Sequence, residues 1–260
     1  PRSGDAQCPD APTGATTMNE ILTFDNVRLT YHTKRGEVTA LKGLSFSLGE
    51  GEFAAMIGPS GCGKSTVLSL AAGLLKPSEG TVTLRGSIGY MLQRDELFPW
   101  RTIEKNLYLP LEVQRKNTPE RRARAAELAR TYGLADFLKS YPSQLSGGMR
   151  QRAALIRTLA MEPDILLLDE PFSALDYQTR LNVTADVARI LRTEKKAALL
   201  ITHDISEAIS LADRIFVLTA RPARLHAEHE TDFTSTDPLR RREEPRFSGW
   251  FERLWKELNP

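Results

Sequence analysis

The sequence has 260 residues, with 35 Lys and Arg against 33 Asp and Glu, a formal net charge of +2 and a hydrophobic fraction of 41%. This composition is typical of a folded globular chain and excludes an intrinsically disordered one. No apolar run reaches the roughly 18 residues that a membrane span requires, and two cysteines indicate a reducing compartment rather than a disulfide framework. The basic residues are spread along the chain, so we expect no nucleic-acid partner.

The beginning of the chain divides into a leader and a β-rich region. Residues 1–19 are rich in Pro, Gly, Ala and Thr and have no apolar core of the kind found in a secretory signal, so we predict a mobile leader. From residue 20 to residue 50, short apolar alternations predict antiparallel strands. A buried strand over 53–57 then runs into a glycine-rich loop and a helix, which is the order that a phosphate-binding loop requires.

The middle of the chain is predicted to be helical. Thr118 followed by Pro119 marks a helix start, since threonine caps helix N-termini and proline is favoured at the first helical position. We therefore predict a small helical subdomain over about residues 100–160, inserted between core strands. Beyond it, strands at 165–168, 198–202 and 215–219 alternate with helices at 178–191 and 205–212, a pattern that predicts a parallel sheet flanked by helices.

The chain is thus interpreted as one main domain with two flanking segments. Residues 20–225 form the α/β domain, and residues 226–260 form a polar C-terminal tail. Within the tail, the charged residues 240–244 predict a solvated run. The apolar positions of residues 247–258 predict an amphipathic helix.

The first chemical motif is the glycine-rich loop, which matches the pattern G-x-x-x-x-G-K-[ST]. Such a loop points backbone N–H groups at phosphate oxygens, and the following helix N-terminus adds a partial positive charge. Lys64 is then expected to reach the β- and γ-phosphates, and the hydroxyl of Ser65 to bind Mg²⁺. We interpret Cys62 as a small residue whose backbone matters, not as a catalytic thiol. The predicted nucleotide-binding residues are Gly58, Pro59, Ser60, Gly61, Cys62, Gly63, Lys64, Ser65 and Thr66.

The second motif is a pair of carboxylates at the end of an apolar strand. Asp169 and Glu170 follow residues 165–168, at the carboxyl end of a predicted parallel strand, where ligands of open sheets bind. Asp169 is expected to hold Mg²⁺. Glu170 is then available to polarise a water for attack on the γ-phosphate.

A third motif lies between the first two. Residues 145–149, the signature segment, read Leu145, Ser146, Gly147, Gly148 and Met149, and they open a helix with bare backbone amides that suit an anion. The ordered set resembles the ATP-binding subunit of an ATP-binding cassette (ABC) transporter over about residues 20–220. The resemblance is carried by the loop 58–66, Gln93 after a strand, the signature segment, Asp169 and Glu170, residues 173–176 and residues 202–204.

This resemblance implies an α/β fold and a split site. The fold is a P-loop ATPase core with a mixed sheet, an N-terminal antiparallel β subdomain and an inserted α-helical subdomain. In the family, two cassettes pack head to tail, so the partner is a second copy of this chain or a different cassette. Each ATP then lies between the loop of one subunit and the signature segment of the other. Ser146, Gly147 and Gly148 would bind the partner's nucleotide, and Asp176 would lie at the dimer contact.

The resemblance also assigns roles to three isolated residues. Tyr31 matches the aromatic residue that stacks on adenine, with a core tyrosine as the alternative. Gln93 would contact Mg²⁺ or the attacking water. His203 matches the family's contact to the γ-phosphate, and the alternative is an ordinary packed or surface histidine.

Two segments resemble one branch of the family. The loop from Gln93 to Trp100 and the terminal helix are similar to those of nitrate, aliphatic sulfonate and taurine importers. The resemblance implies uptake of a small solute through separate transmembrane permease subunits, with a solute-binding protein as an indirect partner. It also implies a peripheral position on the cytoplasmic face of the membrane. Phe98 and Trp100 are expected to border the groove that receives a helix of the transmembrane subunit, and core packing is the alternative.

Two other functions stay open at this stage. A non-transport ABC ATPase, acting in DNA repair or on ribosomes, usually has a long coiled-coil insertion or two cassettes in one chain, and neither is present here. A P-loop kinase or GTPase would leave the signature segment unexplained.

Overall fold

The fold is built from two β-sheets and eight α-helices among the described residues. The protein is represented by a computed structural model that describes residues 20–34 and 36–259, so the predicted leader lies outside the described residues. The strands are β1 (Glu20–Thr33), β2 (Gly36–Gly49), β3 (Phe53–Ile57), β4 (Glu79–Leu84), β5 (Ile88–Met91), β6 (Ile165–Asp169), β7 (Ala197–Ile201), β8 (Arg214–Leu218) and β9 (Leu225–Glu230). The helices are α1 (Lys64–Ala71), α2 (Ile103–Val113), α3 (Pro119–Thr131), α4 (Gly147–Leu159), α5 (Tyr177–Thr193), α6 (Ile205–Leu211), α7 (Pro238–Glu243) and α8 (Arg246–Leu258).

The smaller sheet is antiparallel, with strand order β2-β1-β4. Strands β1 and β2 alternate buried and exposed residues over much of their length, because one face of the sheet is turned to the core. On that face Phe24 stacks on its cross-strand partner Phe46, with ring centroids 4.7 Å apart. The predicted antiparallel beginning of the chain is confirmed.

The larger sheet has the order β5-β6-β7-β3-β8-β9, and all of its neighbours are parallel except β8 and β9. Strands β3 and β7 are buried along their whole length, because one face packs against helices and the other against α1 and the smaller sheet. The predicted strand over 53–57 is confirmed at both ends. The sequence also predicted parallel strands close to the observed bounds of β6, β7 and β8.

Helices α2, α3 and α4 pack on one another and form the predicted helical region. Helix α3 begins where the sequence indicates, because the Thr118 hydroxyl accepts a hydrogen bond from the backbone N–H of Arg121 and proline occupies the first turn. Helix α4 starts at the signature segment and runs alongside α5. The helical region is thereby attached to the parallel sheet through α4.

The tail differs from its sequence interpretation. Strand β9 spans the predicted boundary at residue 225 and pairs with β8, so the first part of the tail extends the main sheet. The predicted solvated run is wrong at Arg241, which lies in α7 and is only 3% exposed. Its guanidinium donates to the carbonyl of Ala212 at 2.7 Å and pairs with Asp213 at 3.1 Å, so its charge is satisfied where it is buried.

The predicted amphipathic helix is confirmed as α8. Leu254 is fully buried, whereas Phe251 and Trp255 are exposed and stack with ring centroids 6.2 Å apart. Helix α8 contacts α6, α7 and β8, so it covers one end of the main sheet. No helix in the described part of the chain combines the length and hydrophobicity that a membrane crossing requires.

Candidate functional site

Four parallel strands end at one edge of the larger sheet. Strands β5, β6, β7 and β3 are neighbours in this order, and parallel strands present their carboxyl ends on the same side. The chain therefore brings to one edge residues that are far apart in sequence. We call this group the strand-edge site: the loop 58–66 after β3, Gln93 after β5, Asp169 and Glu170 at the end of β6, and His203 after β7.

Two glycines of the loop have backbone conformations that other residues rarely adopt. Gly61 has φ +71° and Gly63 has φ +129°. At Gly63 a Cβ atom would also lie 3.1 Å from the side chain of Leu41. The loop can therefore curl tightly into the start of α1 only with glycine at these positions.

Lys64 is held within the loop. Its side-chain nitrogen donates to the carbonyl of Gly58 at 2.7 Å and to that of Pro59 at 3.1 Å, and the residue is only 6% exposed. Cys62 is buried beneath the loop as a free thiol, and burial raises its pKa. A raised pKa disfavours the thiolate, which agrees with the prediction that Cys62 is not a catalytic thiol.

The hydroxyl of Ser65 donates to Asp169 at 3.2 Å, which joins the loop to the end of β6. Burial raises the pKa of the Asp169 carboxyl, the bond from Ser65 opposes that shift, and the charge of Glu170 adds to it. Tyr90 on β5 also faces Asp169, and burial together with that carboxylate raises the pKa of its phenol to about 12. The phenol therefore stays protonated as a hydrogen-bond donor beside the carboxylate.

Glu170 is held in an unusual conformation, with φ +44°. Its backbone N–H donates to the carbonyl of Ile201 on β7, and its side-chain Oε2 lies 3.0 Å from Nδ1 of His203. A non-glycine residue with positive φ is a strained feature that concentrates at functional sites. The histidine is therefore paired with the strand-end carboxylate and is not an isolated packed residue.

Gln93 reaches the same group from the β5 side. Its side-chain nitrogen donates to the hydroxyl of Ser173 at 3.2 Å, and that hydroxyl donates to the backbone carbonyl of Glu170 at 3.0 Å. A short polar chain thus connects the loop after β5 to the backbone of the strand-end carboxylate.

Tyr31 stands beside the loop from the antiparallel sheet. Its hydroxyl lies 3.1 Å from that of Thr66, and the residue is 37% exposed. The alternative of a core tyrosine is therefore wrong. Its ring remains accessible to a ligand next to the loop, although the predicted stacking on adenine stays a prediction.

The signature segment lies on a different part of the chain. The hydroxyl of Ser146 caps α4 by accepting from the backbone N–H of Met149 at 3.3 Å, and Ser146 is exposed. A Cβ atom at Gly148 would lie 2.8 Å from the side chain of Val183 on α5. The glycine thus lets the start of α4 approach α5 closely. These contacts differ from those of the loop 58–66, whose glycines pack against β2 and the end of β8.

Asp176 begins α5 next to the signature segment. Its carboxylate accepts from the backbone N–H of Thr179 at 3.0 Å, and hydrogen bonds from Thr179 lower its pKa. Leu175, just before it, has its side chain 3.1 Å from where a Cβ atom of Gly147 would stand. The structure therefore brings Asp176 together with the signature helix.

Sequence reasoning missed two residues of the site. Tyr90 contacts Asp169 from a neighbouring strand, and a tyrosine in a short strand gives no signal of such a contact. Glu207, four residues after His203, is 3% exposed and accepts from the hydroxyl of Thr202 at 2.6 Å. Burial raises the pKa of Glu207 to about 7. Its place in the first turn of the helix that follows His203 could have suggested proximity, but its burial depends on the packing of α5 and α6.

A parallel sheet with a glycine-rich loop after one strand and a carboxylate pair after another defines a P-loop nucleotide-binding domain. The family comparison agrees: the family model described as "ABC transporter" matches residues 41–173. The chain belongs to the ABC transporter ATP-binding family.

Several relatives cover most of the chain. The uncharacterized ABC transporter ATP-binding protein YtlC of Bacillus subtilis (strain 168) is 46% identical over 92% of this chain and 96% of its own length. The taurine import ATP-binding protein TauB of Burkholderia pseudomallei (strain 1710b) is 38% identical over 87% of this chain and 92% of its own length. The aliphatic sulfonates import ATP-binding protein SsuB of Bacillus licheniformis is 43% identical over 73% of this chain and 76% of its own length.

Among solved structures, a dimeric post-hydrolysis state of the ATP-binding cassette MJ0796 bound to ADP and Pi is similar, with a TM-score of 0.68 and 32% identity. The match covers 82% of this chain and 99% of the other. This likeness confirms the predicted ABC ATPase fold. The family is one of ATP-hydrolysing, ATP-binding subunits, and the role of each residue in this chain stays a prediction.

Proposed function

We propose that this protein is the ATP-hydrolysing subunit of an importer for a small anionic or zwitterionic solute such as nitrate, a sulfonate or taurine. The observation that carries the proposal is the pairing of Glu170 with His203 at 3.0 Å beside the Ser65–Asp169 contact at 3.2 Å. The importer role is supported by the relatives named for taurine and aliphatic sulfonate import. Those names favour transport over the alternative of a DNA-repair or ribosome-associated ATPase.

The residues at the strand edge suit Mg²⁺ bound together with ATP. Magnesium prefers oxygen ligands and is usually held by one or two carboxylates together with substrate phosphates. Ser65 and Asp169 would hold it, with the amide oxygen of Gln93 nearby. When bound, the ion would neutralise negative charge on the phosphate oxygens.

Hydrolysis is assigned to the residues around Glu170. The loop amides and Lys64 bind the phosphates, and Tyr31 stacks on the base. The Glu170 carboxylate accepts a proton from the attacking water, and Gln93 orients that water. His203 holds the Glu170 carboxylate through Nδ1 and contacts the γ-phosphate. The strained backbone at Glu170 fixes the carboxylate before the substrate arrives.

A second cassette completes each site. Ser146, Gly147 and Gly148 bind the nucleotide held by the partner's loop, and Asp176 lies at the contact between subunits. Support comes from the two anion-binding helix ends having different surroundings in this chain, and from the dimeric state of the similar cassette MJ0796. ATP binding closes the dimer, and hydrolysis reopens it. The cassettes lie at the cytoplasmic face of the membrane, and the transmembrane permease subunits follow this cycle.

The aromatic loop supplies the proposed contact with the permease. Trp100 is 72% exposed and stacks on Phe98 with ring centroids 5.0 Å apart, so the alternative of core packing is wrong for Trp100. A photo-crosslinker at position 100 in the assembled complex is expected to label a transmembrane subunit. Labelling from the equally aromatic position 255 on α8 serves as the control. Absence of an adduct specific to position 100 would contradict the assignment.

The test of hydrolysis is Glu170→Gln, which keeps the shape of the side chain but removes the base. ATP turnover is expected to fall by about 10²- to 10⁴-fold, the usual contribution of a general base. ATP binding should persist, and an ATP-bound dimer should accumulate on a sizing column. Glu252→Gln, which changes an exposed carboxyl on α8, is the control. Wild-type turnover in Glu170→Gln would contradict the catalytic assignment.

The solute is tested separately by deleting the gene and measuring uptake of labelled nitrate, taurine and an alkanesulfonate. Loss of uptake of one of these, restored by the wild-type gene but not by Glu170→Gln, is expected. Unchanged uptake of all three would contradict the solute class while leaving the ATPase assignment intact.

A further inference from the structure

One arginine outside the sequence motifs lies between two parts of the site. Arg180 is on α5, one helical turn beyond Asp176. One terminal nitrogen of its guanidinium donates to the backbone carbonyl of Leu175 at 2.9 Å. The other lies 3.5 Å from a carboxylate oxygen of Asp204, and the Nε atom lies 3.9 Å from Glu207. One terminal nitrogen is thus hydrogen-bonded and the other is ion-paired, whereas Nε is buried with no hydrogen-bond partner and only the charge of Glu207 nearby.

Leu175, whose carbonyl Arg180 binds, packs against the signature segment. The side chain of Leu175 packs against the backbone of Gly147, where a Cβ atom would stand 3.1 Å away. A Cβ atom at Gly148 would likewise meet Thr179 and Val183 on α5. A displacement of the signature helix therefore presses directly on the segment whose carbonyl Arg180 holds.

The two carboxylates that Arg180 faces, Asp204 and Glu207, fix the backbone beside His203. The Asp204 carboxylate accepts from the backbone N–H groups of Ser206 and Glu207, and it thereby caps α6. Glu207 accepts from the Thr202 hydroxyl at 2.6 Å, and this hydroxyl also accepts from the backbone N–H of Asp204. The residues on both sides of His203 are thus fixed by the two carboxylates that Arg180 faces.

The chemistry of the contact requires an arginine. Its planar guanidinium presents separate donors in a rigid fork, so that one nitrogen binds the Leu175 carbonyl while the other pairs with Asp204, whereas the point charge of a lysine cannot hold both in this geometry. Burial raises the pKa of Glu207, and the charge of Arg180 opposes that shift. The guanidinium therefore favours the charged form of a buried side chain whose position fixes the backbone beside His203.

We propose that Arg180 is a positioning residue that couples the two nucleotide sites of a cassette dimer. The inference rests on the proposed function, in which the signature segment contacts the partner's nucleotide and His203 contacts the nucleotide on its own chain. Arg180 joins these two regions within one chain. Nucleotide bound by the partner, by pressing on the signature helix, thereby sets the position of His203 at the other site.

The test uses mixed dimers in which Glu170→Gln silences hydrolysis at one site, so that the other site is measured alone. In the first dimer, one chain carries Arg180→Gln and the other carries Glu170→Gln, so hydrolysis reports the site on the loop of the Arg180 variant. In the second, a single chain carries both substitutions, so hydrolysis reports the site that its signature segment completes. Arg189→Gln is the matched control, because Arg189 lies on the same helix and its side chain is 66% exposed.

Coupling predicts that turnover falls at both sites by about tenfold, within the range found for residues that transmit coupling. Coupling also predicts that wild-type turnover depends sigmoidally on ATP concentration and that this dependence becomes hyperbolic in Arg180→Gln, a change that a loss of stability alone would not produce. Arg180→Lys retains the charge but not the fork, and should lose the same cooperativity with a melting temperature close to that of the wild type. If Arg180→Gln does not fold, Arg180→Lys carries the same mixed-dimer test.

A fall at only one of the two sites, or at neither, would overturn the coupling role. Retained cooperativity in a folded Arg180→Lys protein would overturn it as well. Failure of the proposed function is visible separately, in dimers without any change at Arg180. There, full activity of a Glu170→Gln homodimer would refute the catalytic assignment on which the coupling rests.

Discussion

The strand-edge site and the signature segment are both predicted to bind phosphate, but the chain builds them differently. At the strand edge, residues from different elements bond to one another, as Ser65 does to Asp169 and Glu170 to His203. At the signature segment, Ser146 bonds only locally, to the first turn of its own helix, and is exposed. The glycines beside it pack against α5.

This difference teaches how each region depends on its surroundings. The strand-edge site is assembled by the order of strands in the sheet, and its polar groups are already oriented by one another. The signature segment is the start of α4: its glycines pack against α5, and Ser146 is exposed. We therefore expect the first region to hold a ligand through its own chain, and the second to meet a ligand that another chain presents.

The largest expected effect tests this comparison directly, in mixed dimers with one altered chain. Lys64→Ala should reduce turnover at the site of its own chain, and Ser146→Arg should reduce turnover at the site on the other chain. Each loss is expected to be about 10²- to 10³-fold, as for removal of a donor to a developing charge. Glu170→Gln in one chain identifies which site is active. A loss of turnover confined to the site on the loop of the Ser146→Arg chain itself would contradict the comparison.

The second prediction concerns the buried carboxyl behind His203. The pKa of Glu207 rises from its ordinary value of 4.5 to about 7 in the folded chain, chiefly by burial. Because the folded chain holds this proton more tightly than the unfolded chain, the stabilising contribution is complete below pH 4.5 and is lost as the pH rises to about 7. The loss is about 3 kcal/mol at about 1.4 kcal/mol per pKa unit.

Glu207→Gln removes this dependence, since an amide does not titrate in this range. Urea unfolding of both proteins across this pH interval is expected to show the stability of the wild type falling relative to that of the variant. A difference in unfolding free energy that does not change with pH would contradict the burial argument.

The third prediction concerns the packing behind the signature segment. Gly148→Ala would place a Cβ atom 2.8 Å from Val183 and 3.0 Å from Thr179, both stiff β-branched side chains. Overpacking of this kind is expected to reduce the free energy of unfolding by about 1–3 kcal/mol. Gly249→Ala is the matched control, because it lies in a helix with open space around it and should stabilise the chain by up to about 1 kcal/mol. Equal melting temperatures for the two variants would show that α4 is not packed closely on α5.

The smallest effect separates the ring of Tyr31 from its hydroxyl. Tyr31→Ala should weaken ATP binding by about 1 kcal/mol, the usual worth of an aromatic stacking contact. Tyr31→Phe keeps the ring and loses only the contact with Thr66, so its ATP affinity should stay within about threefold of the wild type. Titration with ATP and with inorganic triphosphate measures both. An equal loss for the two ligands in Tyr31→Ala would contradict stacking on the base.

Local signals explain what could be predicted from the sequence. The strand β3, the glycine-rich turn from β3 into α1 and the capped start of α3 are each encoded in a few consecutive residues, and these elements are confirmed, whereas nucleotide binding by residues 58–66 stays a prediction. The residues of the strand-edge site were also identifiable from motifs. Their mutual contacts were not, because the order of β5, β6, β7 and β3 depends on how helices pack on the sheet.

The unpredicted features all depend on contacts between distant segments. Arg241 stands in a charged run that predicts exposure, yet its side chain is buried. The carbonyl of Ala212 and the carboxylate of Asp213 satisfy its guanidinium there. Tyr90 and Glu207 acquire their shifted pKa values only through burial beside residues of other elements. Strand β9 has weak apolar character and exists by pairing with β8.

That last strand also determines how the sheet ends. An open sheet edge exposes unpaired backbone groups that can pair with another chain and initiate aggregation. Here β8, whose last four residues are buried and apolar, is covered by a short antiparallel strand with His226, Glu228 and Glu230 exposed along it. Repulsion between such edges opposes their association. A chain shortened before residue 225 would therefore expose β8, and we expect it to be less soluble even though the loop 58–66 is still present.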